Sequence, residues 1–270
     1  MALTLRDKQI ASIKRILNLN APLPDAGEND EGNNVPTNAA TDSAAWKILV
    51  FDDMGRDVIS SVLRVNDLRA SGVTIFLNIN SMRNPINDVP VVYFVEPTEP
   101  NIKKITADLA QGLYTPAYIN FTNSISRELL ENFGAMTVAS STAEHIAQIY
   151  DQSLSFVVTE PDLFSLNMKK SYYTLNSAKT SDAELDHVVD SIVGGLFSVC
   201  VTMKALPIIR CPKGGAAEDI SAKLDRKLRD HLLNSRTNVF SESSAVGSRP
   251  LLILVDRNID LLPMLSHSWI

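Results

Sequence analysis

Cysteine is nearly absent from this chain of 270 residues: there are two, Cys200 and Cys211, both in apolar surroundings. Two thiols so placed make neither a disulfide framework nor a metal knuckle, and they suit a reducing compartment. Basic charge is also short, with 25 Lys and Arg against 31 Asp and Glu and a net charge of -6. That balance gives the chain no electrostatic reason to seek nucleic acid or anionic lipid. No run approaches the ~18–20 apolar residues of a membrane span, and the N-terminus lacks the apolar stretch of a signal peptide, so a cytosolic protein is expected.

The motifs of common chemistries are missing as well. The four histidines, His145, His187, His231 and His267, are scattered without metal-ligand spacing. Glycines pair only at Gly194-Gly195 and Gly214-Gly215, so there is no G-x-G-x-x-G, and no G-x-S-x-G elbow occurs. Arg210-Cys211-Pro212-Lys213-Gly214-Gly215 comes nearest to an anion site, as a strand, a glycine turn and a helix start. It lacks the spacing and the Ser or Thr of a P-loop, and a plain helix entry is the expected reading. Asp52-Asp53 invites a phosphoacceptor or Mg²⁺ reading, which needs a third Asp at another strand end and a downstream Lys. The other strand ends carry Glu96 and Thr122, so a solvated turn is expected there. No catalytic residue, cofactor or metal site is assigned.

What the chain does have is a recurring buried-strand pattern. WKILVF at 46–51 is apolar but for one Lys and is stopped by a polar turn, and VTIFLNI (73–79), VVYFV (91–95) and AYINF (117–121) repeat it. Continuous apolar runs without alternation read as strands buried on both faces, and helix-like segments between them predict a parallel sheet covered by helices on both sides. The helices are expected at 57–71, 99–111, 124–139 and 142–152, after an amphipathic helix at 5–19. Residues 20–44, rich in Asn, Asp, Glu, Gly, Pro and Ala without periodicity, are expected to be a mobile surface loop.

The texture changes after Gln152. Strands at 155–160 and 163–168, with SYYTL at 171–175, suggest a short antiparallel excursion. A helix over 182–206, a strand at 207–211, a helix over 216–235 and the buried-strand run LLILV at 251–255 follow. The expectation is an α/β protein: a three-layer first domain with a parallel sheet (1–152), followed by an incomplete second α/β domain (153–270). A chain that stops soon after a central strand is expected to be a fragment, and its uncovered strand to cause association.

Several segments are distinctive enough to carry a resemblance. WKILVFD, VISSVLRVNDLRASGVTI, NDVPVVYFVEPTEPNI, YINFTNSISRELLE and IYDQSLSFVVTEPDLFSL resemble the opening of the Sec/Munc (SM) family of SNARE-binding vesicle-fusion proteins. PIIRCPKGGAAEDISAKLDRKLRD and ILVDRNIDLLPMLSHSW resemble the same family's second domain, and the likeness is to its Sly branch, which serves traffic between endoplasmic reticulum (ER) and Golgi. The resemblance covers nearly all of the chain outside 20–44. It implies a SNARE-assembly factor that works by binding an ER or Golgi syntaxin and SNARE complexes, promoting vesicle docking and membrane fusion, with no covalent chemistry and no cofactor. It implies a cytoplasmic protein, peripheral at ER and Golgi membranes only through its partners. The alternative from another class is a nucleotide- or phosphate-binding α/β enzyme using the Lys213 turn.

The resemblance also implies a site. In the Sly branch a Phe of the syntaxin N-terminal peptide enters a pocket between the two helices after the fourth strand, carried here by Leu130, Phe133, Gly134, Ile146 and Ile149. Spacing alone puts Leu130, Phe133 and Gly134 at i, i+3, i+4 and Ile146 and Ile149 at i, i+3, as core faces of helices do. The family pattern has a smaller aliphatic at Phe133 and Ala at Gly134, where glycine is expected to leave a gap between the helices.

Overall fold

A capping box opens the first helix: Asp7 N donates to Thr4 Oγ1 at 3.2 Å and Thr4 N donates to Asp7 Oδ2 at 3.1 Å, which starts α1 (Leu5–Leu17). The computed structural model describes residues 3–21, 46–234, 240 and 249–267. The loop expected at 20–44 therefore lies, beyond Ala21, outside the described residues. The chain divides into two compact units, residues 1–152 with 157–163, and residues 153–156 with 164–270.

The first unit is built on five parallel strands, β1 (Lys47–Phe51), β2 (Val73–Asn78), β3 (Val91–Val95), β4 (Ala117–Phe121) and β5 (Ile146–Asp151), in the order β2-β1-β3-β4-β5. The three inner strands are those with near-continuous apolar runs, broken only by the buried Lys47 and Asn120, because both of their faces are covered. On one face Ile48, Val50, Val91, Tyr93, Val95, Ala117, Ile119 and Phe121 pack under α4 (Glu99–Ala110) and α5 (Arg127–Ala139). On the other, α2 (Asp53–Val62) touches β1 and β3, with α1 against it. Gly55 makes that approach close: a Cβ there would lie 2.3 Å from the Phe94 carbonyl oxygen.

Several expectations are corrected. The segment 142–152 is a single 3₁₀ turn (Ala143–His145) followed by strand β5, not a helix. The helix expected over 57–71 starts earlier, under an Asp52 cap, and breaks at Leu63 into α2 and α3 (Val65–Ala70). VTIFLNI pairs only with β1 among the described residues, and at this edge Ile75 and Phe76 are exposed rather than buried on both faces. Asp52 is buried rather than solvated.

In the second unit, α7 (Asp182–Met203) opens on a Ser181–Glu184 capping box and packs against α8 (Ala216–Asn234), with Val189, Val193, Phe197 and Cys200 meeting Ile220, Leu224 and Leu228. By length and composition α7 is apolar enough to cross a membrane, contrary to the expectation that no segment is, but its apolar stripe is used in this core. The Pro161-Asp162 turn and the short strand β6 (Val157–Glu160) before it belong to the first unit, and β7 (Leu163–Ser165) follows the turn. SYYTL is not a strand but the helix α6 (Ser171–Asn176), held by Tyr172 and Asn176 hydrogen bonds to Asn258. β8 (Ile208–Arg210) and β9 (Leu251–Ile253) pair in parallel. Among the described residues helices cover one face: Ile209, Leu252 and Leu254 pack inward, whereas Ile208, Leu251, Ile253 and Val255 are exposed. LLILV is thus half-covered, not the fully buried strand expected.

Candidate functional site

Carboxyl ends of parallel strands are where α/β proteins hold ligands, so they come first. At the end of β1, Asp52 Oδ1 accepts from Gly55 N at 2.8 Å, and its Oδ2 accepts from Glu96 N at 2.7 Å and Asn101 Nδ2 at 2.8 Å. The carboxylate is spent on capping α2 and tying β1 to β3 and α4. Glu96, at the end of β3, is pushed above the ordinary carboxyl range by desolvation and then by the nearby Asp52. In the second unit the Lys213-Gly214-Gly215 turn does enter a helix, with Gly214 at a φ of +80°. Two amides at this helix entry are already taken by carboxylates: Gly214 N donates to Glu218 Oε2 at 2.7 Å and Ala217 N to Asp256 Oδ1 at 3.1 Å. An incoming phosphate would meet two negative groups there.

Among the described residues no cluster of three or more His, Cys, Asp or Glu is placed to hold a metal. Cys200 is buried, and desolvation pushes its thiol up to about 11, which leaves it unreactive. A buried ionic cluster among the described residues is structural. Arg83 Nη2 meets both Asp108 oxygens at 2.6 and 2.7 Å, and Tyr93 Oη donates to the same carboxylate at 2.9 Å, fastening the loop after β2 to α4.

The five residues named from the resemblance fall around one end of the sheet, but not between two helices. Phe133 points from α5 into the core and is 1% exposed. Ile146, on β5, is half-buried and packs on that same cluster. Leu130 and Gly134 lie on the other flank of α5; Leu130 is 42% exposed, and nothing stands within 4 Å of where a Gly134 Cβ would be. The gap expected at Gly134 therefore opens to solvent. Ile149 is 38% exposed on β5, which has β4 on one side and no strand on the other among the described residues.

A β-bulge brings the two isoleucines to one face. Strand residues three apart normally point to opposite sides of a sheet. Here Ala117 pairs with Ile146 but Tyr118 pairs with Gln148, so an extra residue sits in β5 and shifts its phase. Ile149 then stands opposite Ile119, on the face that α4 and α5 cover. The structure thus sets Phe133 and Ile146 in a shared core and leaves Leu130, Gly134 and Ile149 exposed at the surface. The opposite face of β5 carries a group that sequence reasoning missed. Gln152 Nε2 donates to Asn120 Oδ1 at 2.6 Å and to Asn20 Oδ1 at 3.0 Å, and Asn20 Nδ2 donates to Asn120 Oδ1 at 3.1 Å and Gln148 Oε1 at 3.3 Å. The polar Asn120 inside the apolar run AYINF was the one available signal.

Known proteins resemble this chain in sequence and in fold. A family model described as the Sec1 family matches residues 47–270. Protein sly1 of Schizosaccharomyces pombe is 46% identical over 266 residues, covering 98% of this chain and 40% of that relative. Protein SLY1 of Saccharomyces cerevisiae is 43% identical over 273 residues, with 99% and 40% covered. The chain spans about two fifths of the length of these curated relatives. Among solved structures, Sly1p in complex with an N-terminal peptide of Sed5p superposes with a TM-score of 0.81 at 42% identity, over 100% of this chain and 44% of that one. The SM protein Vps45, at 21% identity and a TM-score of 0.75 over 99% of this chain and 45% of that one, shares the fold.

Proposed function

The chain belongs to the Sec1 family, and from that premise we propose that it is a SNARE-assembly factor of the Sly type, binding an ER or Golgi syntaxin and promoting vesicle docking and fusion. It acts by binding rather than by covalent chemistry, in the cytoplasm, and reaches ER and Golgi membranes through its partners. Residues 1–152 serve as the domain that takes the syntaxin N-terminal peptide, and 153–270 belong to a second α/β domain. The peptide's Phe docks at Leu130, Phe133, Gly134, Ile146 and Ile149.

One observation carries the site: Leu130, Gly134 and Ile149 stay exposed on α5 and β5, the two elements that supply Phe133 and Ile146 to the core, and β5 has no strand beyond it among the described residues. Exposed apolar groups at a sheet edge suit an extended or helical peptide with one aromatic anchor. The relative solved with a Sed5p N-terminal peptide supports the same reading. The enzyme alternative draws no support, because the Asp52 carboxylate and the amides of Gly214 and Ala217 at the entry to α8 are engaged within the protein.

The test is calorimetric titration of the Sed5p N-terminal peptide into the 270-residue chain. Saturable binding that is lost when the peptide's Phe becomes Ala is expected, and no binding would overturn the assignment. Parallel titrations of ATP, GTP and NAD should give no saturable heat. Nucleotide binding abolished at Lys213→Ala would favour the enzyme instead.

A further inference from the structure

Edge strands are held on one side only, so their register is weakly specified unless side chains fix it. β5 has this difficulty twice over, because it carries a bulge and, among the described residues, pairs with β4 alone. A slip of one residue would turn Ile149 away from the α5 side and carry Gln148 and Gln152 into the apolar face.

We propose that the amides of Asn120, Gln148 and Gln152, joined through Asn20, are positioning residues that lock the phase of β5 and so present Ile149 to the peptide. Asn120 is 0% exposed, and its Oδ1 accepts from both Gln152 and Asn20. A buried carbonyl of this kind is costly to leave without donors, so the network favours the one register that satisfies it. Gln148 and Gln152 are four residues apart, and both reach the face opposite the site only with the bulge where it is. The lock touches no peptide; it acts through the strand that carries Ile146 and Ile149.

The inference rests on the peptide-binding reading, and the experiment separates the two. In the Gln148→Met/Gln152→Met variant of the whole chain, amide hydrogen exchange is followed on β5, with β3 as an internal reference, and the Sed5p N-terminal peptide is titrated. Exchange on β5 should quicken, and affinity should fall, by roughly tenfold, the net weight of a hydrogen bond or two, with β3 unchanged. Gln148→Glu alone keeps the oxygen that accepts from Asn20 and should retain wild-type affinity. A double variant that exchanges and binds like wild type overturns the lock, and so does exchange quickened equally in β3 and β5. If the wild-type chain binds no peptide, the site reading falls while the exchange pattern still decides the lock.

Discussion

The ammonium of Lys47 donates to the Leu17 carbonyl at 2.7 Å, inside a residue only 2% exposed, and a second bond at 2.8 Å reaches the Ser71 carbonyl. Leu17 ends α1 and Ser71 caps α3. The single Lys of the first strand therefore closes two helix C-termini, where cations are favoured and carbonyls lack partners.

Replacing Lys47 by Met should keep the apolar stem and strand both carbonyls, a loss of about 1–3 kcal/mol that a urea titration would measure. Burial also pushes this ammonium below the ordinary lysine value of 10.5. As pH rises through the lowered value toward 10.5, the folded protein sheds a proton that the unfolded chain still holds. This residue's contribution to stability therefore increases across that window and is constant below it. The Met variant should lack that increase, and a matched rise in both proteins would contradict the assignment.

The sheet was legible wherever both faces are covered. WKILVF, VVYFV and AYINF announce β1, β3 and β4 because nothing solvated interrupts them. β5 was illegible for a physical reason: the bulge breaks the period of two and leaves Ile146 and Ile149 three apart, the spacing of a helix face. The resemblance supplied the five site residues, whereas the helix-face spacing assigned to them was accidental for the isoleucines. For α5 the spacing misled in another way. Phe133 and Gly134 are adjacent on the helix, and one goes to the core while the other faces water. Asn120 and the Arg83–Asp108 pair depend on partners many residues away, which no local pattern reveals.

Gly134→Ala should stabilise the protein. The position is inside α5, and an added Cβ meets nothing within 4 Å, so only the backbone entropy of glycine is changed. A gain of about 0.5–1 kcal/mol is expected. Peptide affinity should persist, since a methyl group adds only apolar surface there. A thermal melt lowered by the substitution would mean that the site is crowded after all.

Ile253→Lys should abolish self-association of the chain. Ile208, Leu251, Ile253 and Val255 share the side of the β8–β9 pair that nothing covers among the described residues, with exposures of 42, 58, 62 and 63%. Parallel strands are ordinarily covered on both faces, and an uncovered apolar face invites contact between copies. Light scattering across a concentration series should show the wild-type chain growing in mass and the Lys variant remaining monomeric. A wild type that stays monomeric at high concentration would refute this.

Leu130→Lys and Phe133→Ala should fail in different ways, although the two side chains lie within one turn of α5. Docking one Phe side chain is worth roughly 1.5–3 kcal/mol, up to about a hundredfold in affinity. Tight binding must therefore draw on further contacts along the peptide. Leu130 is 42% exposed, so in the free protein a lysine there can swing its ammonium into water and the fold should survive. With the peptide ring seated beside it, that ammonium would lose water without gaining a partner, and binding should be lost. Phe133 is 1% exposed within the sheet's main core, and its truncation leaves a cavity that costs about 3–5 kcal/mol, a large part of a domain's stability. Circular dichroism melts and peptide titrations on both variants check the pair. The expected result is a stable Leu130→Lys protein without affinity beside a destabilised Phe133→Ala protein. Peptide binding left intact in Leu130→Lys would move the docking site off this flank of α5, and a collapsed melt there would make Leu130 part of the core.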